Sequence, residues 1–499
     1  MLGFLLDLIN KRYYVEVTKH QHPPALRVFF ATEMWERYGF YVVQTLLALY
    51  LALYFSWPDK RIYALIGSFT ALTYISPVLG GWIADHLIGQ KRATLLGAVF
   101  LLMSYLFLGL YASDYSLPFA LAGMAVGTGL LKSNISSLLG NQYPENSASR
   151  ERGFTIFYMG ITSGIVLGTT LPSYLNRHFG WSVSFMSAAI GISLGIIIFS
   201  LGIRCYRIRD YKPYQYSFKR TLQALGMIVF VWSVAVLIMR LPALADSVFF
   251  AVTVGSLGYL VYCTRQEESS QGRKTMVILL LCVISAMFWA FYFQMFLSLT
   301  LFISRVIQPN LSGFPFPPPY YVAIQSVGML VIGLFLSRKK IKAYPFQNTI
   351  RAGNKFLFAM FVMTCAYALI VLVAHMSTQT QGLLSPLWII PAYLMISLAE
   401  LLLSPVGLCA ITVLANRSRV STMMGIFFVS LGIGGFLSGK LATITAIPPG
   451  DLSLLAIKQH YEASFVIILE ILASLTVLCV GVNAIIKRLM NSCSIPQDA

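Results

Sequence analysis

Apolar stretches long enough to cross a bilayer recur from one end of this 499-residue chain to the other. They lie near 26–54, 62–86, 93–112, 117–140, 153–175, 180–203, 221–240 and 244–264, then near 275–304, 319–337, 355–376, 385–414, 421–446 and 461–486. Fourteen such segments leave no room for a water-facing domain, because no connecting loop is long enough to fold alone. Composition agrees. Charged residues make up 11% of the chain and apolar ones 57%, whereas a soluble domain carries about 25% charged residues. So much apolar surface requires lipid as its solvent.

The basic residues orient the segments. With the N-terminus placed inside the cell, 27 of the 36 Lys and Arg fall in inside loops, 6 fall outside and 3 lie within spans. A bias that holds loop by loop predicts fourteen spans with both termini inside. Lys and Arg cluster between apolar runs rather than forming a continuous basic face, so the net charge of +18 does not indicate nucleic-acid binding. The short apolar run Met1–Ile9 has its positive flank, Lys11 and Arg12, on the wrong side for a cleaved signal. It reads as an interfacial helix. Seven cysteines, odd in number and without CxxC spacing, imply neither a disulfide framework nor a zinc site.

Charges inside spans carry the functional information. Glu33, Glu36 and Arg37 lie in the first span, Lys132 in the fourth and Glu400 in the tenth. Each costs about 2.5–3.5 kcal/mol at mid-bilayer on insertion scales, so such residues face a wet cavity or neutralise one another. Spacings of three and four put Glu33, Glu36 and Arg37 on one helix face. Two acids and one base leave a negative spot, for which Lys132 is a natural partner if the fourth span packs on the first. A carboxylate beside two cations gives up its proton readily; with one cation turned away, burial makes it hold that proton. Such a cluster suits a proton-coupled carrier. A static ion network that only fixes helix packing is the competing reading. Glu470 has no evident partner, and Lys440, near a span end, could snorkel.

These residues also carry a family signature. Glu33-Met34-Trp35-Glu36-Arg37-Tyr38-Gly39-Phe40-Tyr41 resembles the ExxER(F/Y)xYY motif of the proton-dependent oligopeptide transporters, within the major facilitator superfamily. The run from Gly80 and Gly81 through Asp85 and Gly89 to Arg92 is similar to the superfamily's GxxxDxxxGxxR loop. Lys132 in its Gly129–Asn134 context, Phe157–Ile161, Phe288-Trp289 and Glu400–Gly407 extend the likeness to about residue 440.

The resemblance implies an all-α membrane fold of two six-helix bundles, 26–203 and 275–490, with an inserted helix pair over 204–274. The two bundles would rock around a midplane site. It implies proton coupling by Glu33, Glu36, Arg37 and Lys132. Tyr41, Gln44, Tyr74, Lys132, Thr162, Phe293, Glu400 and Phe427 would line the substrate cavity, with Glu400 holding an amine. Gly81, Asp85, Gly89 and Arg92 would form a cytoplasmic gate. The expected protein is a monomeric, multi-pass protein of the bacterial inner membrane. It would import di- and tripeptides with protons as the driving ion, and need no cofactor or metal.

Several cavity positions depart from the family pattern. Gln44 stands where an Arg is usual, and Phe293 where an acid is usual. Thr162 replaces an asparagine, Phe427 a tryptophan and Cys409 a serine. The Gln44 and Phe293 changes remove a cation and an acid together, so neither charge is left unpaired. Another amine-bearing solute, with less need of a carboxylate end, is therefore a second expectation. A receptor or scaffold on the same fold has no need of the charged cluster. Enzyme chemistry finds no Walker loop and no nucleophile or metal constellation.

Overall fold

The computed structural model describes residues 22–491 except 112, 144–147, 207, 209, 211–216, 338–344, 417–418, 449 and 451. The interfacial helix expected over Met1–Ile9 lies outside the described residues. The described chain is α-helical almost throughout. In order the helices are α1 Ala25–Leu53, α2 Asp59–Ile83, α3 Gln90–Leu110, α4 Leu117–Gly140, α5 Ala148–Tyr206, α6 Phe218–Arg240 and α7 Pro242–Gln266. They continue as α8 Ser269–Tyr292, α9 Ser298–Val306, α10 Pro319–Ser337, α11 Pro345–Thr378, α12 Ile390–Leu414, α13 Val420–Ala442 and α14 Leu454–Asn491.

Among the described residues, ten helical stretches are long and apolar enough to cross a membrane, and Pro319–Phe335 is a shorter apolar helix. Neither α1 nor α4 is among the ten. They are the two helices that carry Glu33, Glu36, Arg37 and Lys132. Their polarity is spent on each other rather than on lipid.

One element differs from the continuous spans expected, and another carries a sharp break where two spans meet. Within α5 the segments near 153–175 and 180–203 remain two helices, as expected, parted at Gly180, whose φ of 84° is one that a residue with a side chain rarely adopts. The segment near 275–304 is broken. α8 ends at Tyr292, Phe293–Phe296 forms a 3₁₀ turn, and α9 starts after Leu297. Broken backbone inside an apolar bundle needs other hydrogen-bond partners. Side chains supply them. Gln294 donates to the carbonyls of Ala290 (3.1 Å) and Ser438 (2.9 Å), and Ser298 donates to Gln294 Oε1 at 2.6 Å. Thr300 donates to the Met295 carbonyl at 2.6 Å. The proline-rich loop after Arg305 holds a two-stranded ribbon, Asn310–Leu311 (β1) against Phe314–Pro315 (β2). Ser312 and Gly313 both have positive φ at its tip, as a tight hairpin requires.

The chain packs as two units. The first runs to Leu46 and resumes over Leu72–Arg240; the second takes Leu47–Ala71 and continues from Leu241. The segment 204–274 is thus divided, α6 falling to the first unit and α7 to the second. In the first unit, α6 is held on α4 by Trp232 Nε1 donating to the Phe119 carbonyl at 3.1 Å. Its Ala224 and Ile228 pack on Ile83, Ala84 and Ile88. In the second, α7 is held on α13, where Asp246 pairs with Lys440 at 2.7 Å and Phe249 lies 4.6 Å from Phe436. Lys440 therefore has an anionic partner rather than merely snorkelling.

Segment 47–71 is fixed within the second unit by both shape and charge. A β-carbon on Gly67 would lie 2.9 Å from Gly439 Cα, so α2 and α13 approach at a point where neither tolerates a side chain. Nearby, Arg305 of α9 grips Asp59 with two bonds of 2.7 Å and donates to the Tyr461 hydroxyl at 2.8 Å. Asp59 also accepts the Ile447 backbone N–H at 3.1 Å. Its side chain is 4% exposed and that of Arg305 is 26% exposed. Removing one partner of such a pair strands the other charge. Arg305→Ala is expected to lower stability by about 2–3 kcal/mol, discounted for the exposure of Arg305. It would be read as a lower melting temperature in detergent. Asp59→Asn combined with Arg305→Met should regain most of the loss, and an unchanged melt in the single variant would remove the pair's structural role.

Candidate functional site

The charged cluster forms on α1 because the helix repeat stacks Glu33, Glu36 and Arg37 on one face. All three side chains are nearly sealed, at 1%, 0% and 5% exposure. Arg37 grips Glu36 through both Nε and Nη2, the second contact being 2.6 Å. Glu33 Oε1 lies 3.3 Å from Arg37 Nε, while Glu33 Oε2 is buried without a hydrogen-bond partner. The two acids are therefore unequal: Glu36 is held bidentately and Glu33 is not. Lys132, from α4, lies within the field of Arg37, Glu36 and Glu33. Its ammonium sits 5.1 Å from the ring centre of Tyr74. The partner anticipated for the negative spot is thus brought to it, and Tyr74 of α2 shares the same wall.

What allows this burial is the seat that α5 makes for α1. Gly160, Gly164 and Gly168 recur every fourth residue, one face of one helix. Positioned there, a β-carbon would meet the Phe30 carbonyl at 2.9 Å, the Met34 carbonyl at 2.3 Å and the Tyr38 carbonyl at 2.5 Å. The Gly164 and Gly168 positions also border Arg37 Cβ (2.8 Å) and Tyr41 Cβ (3.1 Å). Thr162 lies between two of these glycines, buried, and donates to the Tyr158 carbonyl at 3.3 Å. Tyr41 is half-buried. Gln44 is buried, and its Oε1 has no hydrogen-bond partner.

The second unit holds Glu400, Phe293 and Phe427. Glu400, on α12, accepts hydrogen bonds from Tyr292 of α8 at 3.0 Å and Gln325 of α10 at 2.6 Å. Phe293 is buried, 5.3 Å from the Trp289 ring. Phe427 is buried against Gly407, two turns beyond Glu400 on α12. Gln325 reaches Glu400 because α10 and α12 pack closely: a β-carbon on Gly328 would lie 2.8 Å from Leu394 and 2.9 Å from Ser397 Oγ. Ser397 in turn donates to the Gln325 carbonyl at 2.7 Å.

The loop motif sits where α2 unwinds. Ala84–Ile88 is a π turn, and Gly89 closes it with φ 81°, its N–H bonding the Ala84 carbonyl at 2.9 Å. Gly81 is half-buried, and Asp85 and Arg92 are exposed. Lys91, between Gly89 and Arg92, pairs with Asp210 at 3.8 Å.

Sequence reasoning missed Tyr292, Gln325 and the glycine ladder. The glycine spacing was readable as a helix-packing repeat. Gln325 was visible as an amide within an apolar segment. Tyr292 gave no signal, because its role depends on where α8 stops.

Long apolar helices enclosing paired acids and bases define a multi-pass membrane protein. Residues 91–460 match the family described as PTR2, the POT family. The chain is 28% identical over 463 residues to dipeptide and tripeptide permease A of Edwardsiella piscicida, covering 90% of this chain and 93% of the relative. It is 29% identical over 437 residues to permease B of the same organism, covering 86% and 88%. A solved structure from work on substrate recognition in proton dependent oligopeptide transporters superposes with a TM-score of 0.80 at 25% identity, covering 93% of this chain and 99% of that one. A bacterial homologue of the human drug peptide transporters gives the same TM-score and identity, with coverages of 94% and 99%. The chain belongs to the POT family. The first-span signature, Glu33 to Tyr41, lies outside the matched stretch and is a separate likeness.

Gly164→Val should disturb the charged cluster without touching a charge, since the Met34 carbonyl occupies the space a side chain would need. Loss of about 2–3 kcal/mol is expected, as for an overpacked core site, measured as a lower melting temperature. Gly164→Ala should show a smaller loss, and native melting in both would refute the seat.

Proposed function

We propose that the chain is a proton-driven symporter that imports di- and tripeptides by alternating access. It would have fourteen spans, both termini inside, and act as a monomer in the bacterial inner membrane, with no cofactor. The observation that carries the reading is the buried Glu33, Glu36 and Arg37 of α1 with the half-buried Lys132 of α4 in their field. Intramembrane ionisable groups of this kind mark proton and substrate pathways. The peptide substrate is supported by the relatives named dipeptide and tripeptide permeases.

In this reading the unequal acids take different roles. Glu33, with one oxygen unpartnered, receives the proton. Glu36 keeps Arg37 neutralised throughout. Lys132 stabilises Glu33 when it is ionised. Glu400 receives the substrate amine, with Tyr41, Gln44, Tyr74, Thr162, Phe293 and Phe427 shaping the cavity. Gly81, Asp85, Gly89 and Arg92 gate the cytoplasmic side.

A second reading is carried by Gln44 and Phe293, uncharged where the family commonly places a cation and an acid. Less cationic charge favours a substrate bearing an amine without a carboxylate end. Competition for uptake between di- and tripeptides and simple amines separates the two. Failure of every peptide to compete, alongside uptake of an amine, would displace the peptide reading.

In proteoliposomes with an imposed pH gradient, Glu33→Gln and Lys132→Ala should each abolish uphill accumulation while leaving substrate exchange measurable. Unchanged gradient-driven uptake in either would reject its coupling role. Glu36→Gln should differ in kind: it removes the bidentate partner of a buried guanidinium and should lower stability by about 3 kcal/mol, detected by melting before any transport is measured.

A further inference from the structure

Glu400 is held unevenly. Tyr292 and Gln325 come from different helices, yet both donate to the same atom, Oε2. Oε1 takes neither bond. The side chain is half-buried rather than sealed. Among the described residues its field contains no cation: the groups that act on it are the two neutral donors. A carboxylate with one oxygen doubly bonded and no counter-charge is an incomplete ion pair.

We propose that Tyr292 is a positioning residue for amine recognition, fixing Glu400 so that Oε1 is presented to the substrate ammonium. This rests on the reading of Glu400 as the amine site. Placement makes Tyr292 suited to the task. It is the last residue of α8 before the break at Phe293, and its ring is wedged between Trp289 (4.7 Å) and Phe293 (5.6 Å). A ring held on two sides delivers its hydroxyl with little freedom to lose on binding. Gln325, on a flexible side chain, gives the shorter bond; Tyr292 gives the rigid one. Freed of Tyr292, Glu400 can rotate about its own side-chain torsions and sweep Oε1 away from the cavity.

The test is a binding series on purified full-length protein, using dialanine and N-acetyl-dialanine, with Tyr292→Phe, Glu400→Gln and the double variant. Phenylalanine keeps the ring and removes the hydroxyl. Tyr292→Phe should weaken dialanine roughly tenfold, the scale of one hydrogen bond to a charged group. It should leave the acetylated peptide unchanged and add nothing in the Glu400→Gln background. Equal weakening of both peptides, or an equal effect in both backgrounds, would make Tyr292 merely structural and overturn the proposal. An effect of Glu400→Gln without one of Tyr292→Phe would also overturn it while sparing the amine site. If wild-type protein binds neither peptide, the peptide reading falls. The proposal is then decided by infrared difference spectra across a pH step. The carboxyl band lost in Glu400→Gln should shift in Tyr292→Phe, and a band that stays in place overturns it.

Discussion

Arg37 sits in the interior of a lipid-embedded unit with a carboxylate clasping it and a second within 3.3 Å. Two acids face that charge inside the unit. The helix repeat stacks the three groups, and α4 brings Lys132 into their field. The glycine face of α5 lets a backbone, rather than a layer of side chains, close the cluster from behind. Ion pairs in low dielectric are strong only when geometry is tight, and they are destabilising when it is loose. Close helix contact and buried charge are therefore one requirement, met by two parts of the sequence.

The second unit handles charge differently. Glu400 has polar donors and no cation, whereas Asp59 and Arg305 satisfy each other with further help from Tyr461 and a backbone N–H. The first leaves a carboxylate held by neutral donors alone, and the second matches charge with charge.

Much of this was legible in the chain. Apolar segment length located the helices, and spacing alone put Glu33, Glu36 and Arg37 on one face. Lys132 followed from charge balance. Other features were not legible, for physical reasons. The break between Tyr292 and Ser298 falls in an apolar run with no proline or glycine to mark it, because the bend is supported by side chains from the run itself and by a carbonyl of α13. The bond from Tyr292 to Glu400 joins residues 108 positions apart and depends on that break. The bidentate clasp of Glu36, against the looser hold on Glu33, is a matter of side-chain rotamer that no spacing rule resolves. The division of 204–274 between two packing units depends on what each inserted helix touches, not on its composition.

The stitched break in α8 and α9 has a mechanical consequence. A straight rod in oil resists flexing because each opened backbone bond leaves amide groups with nowhere to go. At the crease the Thr300 hydroxyl takes the Met295 carbonyl, and the Gln294 amide, itself held by Ser298, takes the carbonyls of Ala290 and Ser438. Part of the backbone bonding at the crease is thus carried by side chains rather than by the helix repeat, so the rod has its weakest ladder there.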